Sequence, residues 1–178
     1  TRPNVDIPDR AALGMPSHFE AARGLYVMRQ YAPDKPKGGT IYVQGTMSTA
    51  NLVKVLPELD KAGLNVKIVA VISPQLFWLQ DQAYKDSVVP IADQWDAMCI
   101  TNRNIKSMAD WLANPLVREY SLSSDWDNRW RTGGSVDEVI EEAHLDPKHI
   151  LAGIERFVRD RGARLRRLRE AVDSIEKV

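Results

Sequence analysis

The sequence predicts an α/β fold, because two β-rich runs flank an amphipathic helix in its first half. Residues 40–44 are mostly β-branched or aromatic, the composition that suits a pleated strand. From residue 50 to 61 the apolar side chains recur three and four positions apart, which puts them on one helix face. Residues 66–72 are almost entirely apolar, as in a strand covered on both sides. Strand, helix and strand within about thirty residues predict a right-handed βαβ unit with parallel strands.

Composition limits the kind of protein this is. The chain has 178 residues, 44% of them hydrophobic, which suits one domain with some extension. Its 24 basic and 24 acidic residues cancel, so the whole chain has no charge excess that would attract nucleic acid or an anionic membrane. A single cysteine excludes an internal disulfide framework. No apolar run approaches the roughly 20 residues of a membrane span, so we expect a soluble, cytoplasmic protein.

The segment before the βαβ unit predicts an extended stretch followed by a helix. Residues 1–17 lack an initiating Met and contain three prolines, and we interpret them as the tail end of a preceding domain or a linker. Residues 19–31 carry apolar side chains at helical spacing, and we predict a helix there. Ser17 and Glu20 have the spacing of a capping box at its start.

The chain after the βαβ unit predicts further alternation of helices and strands. Residues 74–90 indicate a helical segment, and residues 96–101 a third strand. Cys99 in that strand is expected to be a buried hydrophobe, because no neighbour would lower its pKa. Asn104 can cap a helix that reaches residue 114, where Pro115 should end it. Residues 116–122 are a candidate fourth strand.

The loop 123–134 carries Trp126 and Trp130 next to two arginines. Such a group could stack on a base or a sugar. The tryptophans could instead cover the end of the sheet or an interface, which is the interpretation we favour.

The last third of the chain predicts helices. Ser135 and Glu138 form a capping-box pattern for a helix to about residue 143. Asp146 and Pro147 start another that no proline interrupts, with a heptad seam of apolar residues. We expect residues 18–158 to form the domain and residues 159–178 a helical extension, whose arginines form a solvated face. That extension could be a frayed tail, a helix laid on another domain, or a short coiled coil.

No familiar catalytic motif is present. The sequence has no phosphate-binding loop, no dinucleotide fingerprint and no nucleophile elbow. It offers no metal-ligand spacing either, and His18, His144 and His149 are best interpreted as surface or capping residues. A chain of this size without a convergent catalytic set is a binding module or one part of a larger enzyme.

Several segments, in order, resemble the C-terminal domain of transketolases. Residues 73–90 are similar to a family segment in which Ser, Phe, Gln-Asp, Tyr and a final Pro recur. Residues 22–27 are similar to its ARGGYV stretch, and 44–46 to its TGS turn. Residues 132–135 with Glu138 resemble FGESAP, and residues 1–4 resemble the SRQN that closes the preceding domain.

The resemblance implies a three-layer α/β/α domain with a five-stranded, mostly parallel sheet that includes one antiparallel strand. It implies that thiamine diphosphate and Mg²⁺ bind between the other two domains, across a homodimer, so that this fragment binds no cofactor and carries no catalytic residue. Its partners would be those thiamine-binding domains, fused or on a separate chain, with no nucleic acid and no membrane. The whole enzyme would transfer a two-carbon ketol unit between sugar phosphates of the pentose phosphate pathway. Arg2 matches the family arginine that binds the substrate phosphate, and a guanidinium suits that group.

Departures from the family pattern leave alternatives open. Met47, Trp78 and residues 101–103 differ from the usual residues, which also fits the equivalent domain of a thiamine-dependent 2-oxo acid dehydrogenase. A second hypothesis is a regulatory small-molecule pocket at the carboxyl ends of the parallel strands. Its candidate residues are Gly45, Thr46, Ser48, Ser73 and Asn102. A third is an assembly domain that uses the heptad helix.

Overall fold

A five-stranded sheet forms the centre of the computed structural model, which describes residues 5–131 and 133–176. The strand order is β1-β3-β2-β4-β5. β1 is antiparallel to β3, and the other neighbours are parallel. The strands are β1 Leu25–Arg29, β2 Gly39–Gln44, β3 Val66–Val71, β4 Ala97–Thr101 and β5 Leu122–Ser123. This is the mostly parallel sheet with one antiparallel strand that the resemblance implied.

The described residues also form nine α-helices and two 3₁₀ helices. The α-helices are α1 Thr46–Lys54, α2 Leu56–Lys61, α3 Pro74–Trp78, α4 Gln82–Val88, α5 Ile91–Trp95, α6 Pro115–Tyr120, α7 Val136–Glu142, α8 Pro147–Arg159 and α9 Arg161–Glu176. The 3₁₀ helices are His18–Arg23 and Ile105–Trp111. Each described helix is too short or too polar to cross a membrane.

Helices cover both faces of the sheet, because side chains alternate along each strand. Ile41 and Val43 of β2 belong to a core that also contains side chains of α1, α2 and α8. Tyr42, between them, points to a second core that contains side chains of α3, α4 and α6. The structure therefore confirms a three-layer α/β/α domain.

The predicted βαβ unit is present, but its helix differs in detail. The helix begins at Thr46, four residues earlier than predicted, and Val55 divides it into α1 and α2. Neither Ser48 nor Thr49 caps it. Gly45 occupies the cap position without a side-chain bond, and the Thr49 hydroxyl donates to the Gly45 carbonyl over 2.8 Å.

The predicted helix over residues 19–31 is wrong. Residues Leu25–Arg29 are strand β1, and only His18–Arg23 is helical. The alternation explains the strand, since Leu25 faces one helix layer and Tyr26 the other. Gly24 makes the break with a φ of 90°. A Cβ there would lie 2.4 Å from the Ser73 carbonyl oxygen, so the turn requires glycine.

The capping box predicted for that helix does not form. The Ser17 hydroxyl accepts from the amide of Phe19 rather than Glu20, and Glu20 pairs with Arg23 across 3.6 Å. A 3₁₀ helix has three residues per turn instead of about 3.6. Its tighter winding does not bring the Glu20 side chain to the amide of Ser17, as the first turn of an α-helix would.

The predicted fourth strand over residues 116–122 is also wrong. Asn104 caps a helix as expected, the 3₁₀ helix Ile105–Trp111. Pro115 was expected only to end that helix, but it is the first residue of the next helix, α6. The Asn114 side chain accepts from the amides of Leu116 and Val117, at 2.9 and 3.2 Å. A capping Asn followed by Pro is a helix start, and only Leu122–Ser123 remain as β5.

The C-terminal helix is attached to the domain by a buried arginine. The predicted continuous helix breaks at Asp160, between α8 and α9. Arg164 is 1% exposed, so it does not belong to the solvated face that was predicted. It donates to Asp96 over 2.6 Å and to the carbonyl of Phe157. The division of the chain at residue 158 stays a prediction.

Candidate functional site

The candidate site lies at the topological switch point of the sheet, where the connections from neighbouring strands run in opposite directions. The chain passes from β2 to β3 on one side and returns to β4 on the other, so the carboxyl ends of β2 and β4 lie side by side. Open α/β sheets bind ligands in the crevice beside such a point. Gly45 follows β2 here with a φ of 99°. A Cβ on it would lie 1.7 Å from Oδ1 of Asn102, so Asn102 contacts the glycine directly.

A cavity of about 1340 Å³ opens beside these strand ends. Its apolar wall includes Met28, Val53 and Ala70. Its charged lining residues are the cations Arg10, Lys54 and Arg103 and the carboxylates Asp6 and Asp137. No ion pair joins Lys54 or Arg103 to any residue within 5–131 or 133–176.

The N-terminal segment builds one side of this cavity, which sequence reasoning did not predict. Met15 is buried in the core next to α1 and α2 and anchors the segment. The guanidinium of Arg10 donates to the carbonyl of Pro16 and to the hydroxyl of Tyr26, each over 3.1 Å. Residues 5–15 thus lie across the end of the sheet, although their prolines predicted only an extended stretch.

The structure places the five candidate pocket residues in different surroundings. Gly45 and Thr46 line the cavity. Ser48 is buried, and its hydroxyl has no hydrogen-bond partner among the described residues. Ser73 caps α3 by accepting from the amide of Leu76 over 3.3 Å.

Asn102 lies beneath Gly45 rather than among the cavity-lining residues. Arg2, the candidate for binding substrate phosphate, lies outside the described residues.

Candidate metal ligands do not cluster in the described part of the chain. It contains no group of three or more His, Cys, Asp or Glu side chains that could hold a metal ion. No chemical step is assigned to these residues through a magnesium–diphosphate group, and the absence of a cofactor site from this chain stays a prediction.

A stack of aromatic rings lies away from the cavity, and sequence reasoning missed it. Trp126 stacks on His144 with centroids 4.3 Å apart, and His144 stacks on His149 at 4.2 Å. The His149 imidazole is hydrogen-bonded to Asp146, so this histidine has the local partner that the sequence did not reveal. Trp130, by contrast, is 97% exposed. The sequence contains one indication of this hydrogen bond. A helix that starts at Asp146-Pro147 places residue 149, in its first turn, next to the carboxylate of the capping Asp146.

Cys99 has the buried position that was predicted. It lies at 0% exposure in β4, and burial raises the pKa of its thiol to about 12. A thiol with such a pKa is not a nucleophile at neutral pH.

Fold and site together define an α/β domain with a ligand-sized cavity at its switch point. No family model matches the sequence. A curated relative, a plasmid transketolase of Cupriavidus necator, is 23% identical over 141 residues, which are 79% of this chain and 19% of the relative. The chain thus spans about a fifth of that relative's length.

Solved structures lead to the same family of folds. A transketolase of Pichia stipitis in complex with sedoheptulose 7-phosphate has a TM-score of 0.60 at 18% identity, covering 80% of this chain and 19% of its own. The transketolase of Leishmania mexicana has a TM-score of 0.62 at 13% identity, with the same coverage. A split-gene transketolase, described as an inactive β4 tetramer, has a TM-score of 0.53 at 15% identity, covering 88% of this chain and 46% of its own. These neighbours point to transketolase, and to the C-terminal part of its chain.

Proposed function

We propose that this chain is the C-terminal, non-catalytic domain of a transketolase-like, thiamine-diphosphate-dependent enzyme. The observation that carries the proposal is the shared fold, since about four-fifths of this chain superimposes on about one-fifth of a transketolase. Its role is structural: it completes the assembly whose other domains hold the cofactor. The same proposal includes a homodimer of the full enzyme, a cytoplasmic location and a place in the pentose phosphate pathway.

The cofactor belongs to the proposed partner domains. When bound there, thiamine diphosphate supplies the nucleophilic carbon that carries a two-carbon ketol unit between sugar phosphates. The solved split-gene transketolase gives a precedent for a chain that covers only part of such an enzyme. The thiamine-binding domains can therefore be fused to this chain or be a separate subunit. Arg2 stays in the proposal as a contact to the substrate phosphate.

A reconstitution assay tests the proposal. The thiamine-binding domains encoded with this chain are produced separately, and ketol transfer from xylulose 5-phosphate to ribose 5-phosphate is measured with each part alone and with both. We expect turnover only from the combination. Transfer by these 178 residues alone would refute it, as would full turnover by the other domains without them.

The same assay with a 2-oxo acid and an artificial electron acceptor distinguishes the dehydrogenase alternative. Activity on the 2-oxo acid, with none on the sugar phosphates, would assign the domain to that other class of thiamine enzyme.

The cavity favours a second candidate function, a regulatory small-molecule site. Its volume suits a drug-sized or nucleotide-sized ligand. Arg103 and Lys54 offer cations that form no ion pair with a carboxylate of the described residues, although Asp6 and Asp137 line the same cavity. A thermal-shift screen with sugar phosphates and nucleotides tests this role. We expect a stabilising ligand whose effect is lost in Arg103→Gln and kept in Lys61→Gln, an exposed lysine outside the cavity. A screen in which no compound raises the Tm contradicts it.

A further inference from the structure

Three rings are stacked where the loop 124–131 meets the end of α7 and the start of α8. The Trp126 and His144 planes are inclined by 17°, and the His144 and His149 planes by only 3°. Neither proposed function uses these side chains. The stack contains two imidazoles, and imidazole is the side chain whose charge changes between pH 5 and 8. The contacts of the stack can therefore depend on pH.

Each ring of the stack belongs to a different element, so the stack joins three parts of the domain. His144 follows α7 in the left-handed conformation, with a φ of 56°. His149 lies in the first turn of α8 and is held by Asp146, the cap of that helix. Trp126 belongs to the loop. Arg131 of the same loop donates to the carbonyl of Glu142 in α7 over 3.2 Å.

The carboxylates near His144 already have partners. Asp127 accepts from Arg131 at 2.5 Å and from Arg129 at 2.7 Å. Asp146 accepts from His149 and from the amide of Lys148, the latter at 2.9 Å.

The guanidinium of Arg131 and the imidazole of His149 both oppose a positive charge on His144. Burial lowers the pKa of His144, and His149 lowers it further; the carboxylates of Asp146 and Asp127 act in the opposite direction, but the net shift of the pKa is downward. The stack is therefore built for a neutral His144.

We propose that His144 is a pH-sensitive latch that holds the loop 124–131 against α7 and α8. The neutral imidazole lies between Trp126 and His149 and keeps the three elements together. Protonation places a cation beside His149 and Arg131, so the stack opens and the loop detaches from α7. Because Val136 and Asp137 of α7 line the cavity, opening of the latch also changes the cavity wall. This device does not depend on the proposed function.

The sign of the pH dependence follows from the lowered pKa. In the unfolded chain His144 takes up its proton at about pH 6.5, whereas the folded stack resists protonation to a lower pH. Between these two pH values the unfolded state binds more protons, so the local stability conferred by the stack falls as the pH falls. Above about pH 6.5 it is fully present.

The test is a histidine and tryptophan NMR titration from pH 8 to pH 5. His144→Asn removes the titrating ring but keeps the left-handed backbone, which Asn tolerates. His18→Asn is the matched control, because His18 lies beside Phe19 outside the stack. Trp126→Phe assigns the indole signal. We expect the Trp126 indole N–H signal to shift with the His144 titration, at a midpoint below 6.5, in the wild type and in His18→Asn.

In His144→Asn that shift should be absent. Because His144→Asn lacks the ring that closes the latch, amide exchange in residues 136–143 at pH 8 should be slower in the wild type than in the variant. The difference should shrink at pH 5.5, where protonation opens the latch of the wild type. The latch is refuted if the chemical shift of the Trp126 indole N–H does not change while His144 titrates. Equal exchange in the two proteins at pH 8 also refutes it, and so does a His144 midpoint above 6.5.

Discussion

Two carboxylates of the domain, Asp96 and Glu119, form ion pairs with arginines of α9. Removing the negative charge of Asp96 should destabilise the domain more than removing that of Glu119. Asp96→Asn keeps the shape of the side chain but leaves Arg164, which is 1% exposed, without its counter-ion. The guanidinium of Arg164 lies 3.8 Å above the Phe157 ring, and its Nε already has no hydrogen-bond partner among the described residues. A buried charge in that position has no access to water.

The size of the effect follows from the burial of the pair. Breaking a buried ion pair from one side costs about 3–5 kcal/mol. For a chain of this size that lowers Tm by roughly 6–20 °C. Asp96 also pairs with Arg161 of α9 over 2.6 Å, but that side chain is 33% exposed and stays in contact with water. The control is Glu119→Gln, which breaks a third ion pair between α9 and the domain, that of Arg167 with Glu119. Those side chains are 52% and 40% exposed, so the loss there is at most about 1 kcal/mol.

Urea unfolding followed by far-UV circular dichroism measures both variants. The double variant Asp96→Asn with Arg164→Met should recover most of the lost stability, because no buried charge then remains unpaired. Equal losses in Asp96→Asn and Glu119→Gln would refute the reasoning. A double variant less stable than Asp96→Asn would also refute it.

Three further predictions concern single positions. Gly45→Ala should cost about 1–3 kcal/mol of unfolding free energy, because Ala resists a φ of 99° and its Cβ meets Asn102; a neutral effect in urea unfolding contradicts the tight turn. Cys99 should react with Ellman's reagent at pH 8 only after unfolding, since burial raises its pKa to about 12, and rapid labelling of the native protein contradicts that. Ser135→Ala should cost about 0.5–2 kcal/mol through loss of the capping box. Ser174→Ala, in the exposed last turn of α9, should cost almost nothing, and equal losses would contradict the role of the cap.

Patterns of local origin were predictable from the sequence. The βαβ unit, the third strand and the helix starts at Ser135 and Asp146 depend on residues within a few positions of one another. β1 was not predicted because its apolar side chains occupy successive positions, and such a short run fits a helix as well as a strand that is buried on both faces. Only the two helix layers that cover Leu25 and Tyr26 decide between them.

Long-range partners explain the other errors. Arg164 was expected in solvent because its counter-ion, Asp96, lies 68 residues earlier in the chain. Of the candidate pocket residues, Gly45 and Thr46 line the cavity because they form the turn after β2, and their role in binding stays a prediction. The part played by Arg10 and Met15 could not be predicted, because it depends on how the N-terminal segment folds back over the sheet.

Cofactor binding tests the central claim most directly. Thiamine diphosphate with Mg²⁺ is titrated calorimetrically into this chain alone, and into its complex with the thiamine-binding domains that we propose as its partners. We predict no saturable heat with the chain alone and one cofactor per active site in the complex. Saturable binding to the 178 residues by themselves would contradict the account.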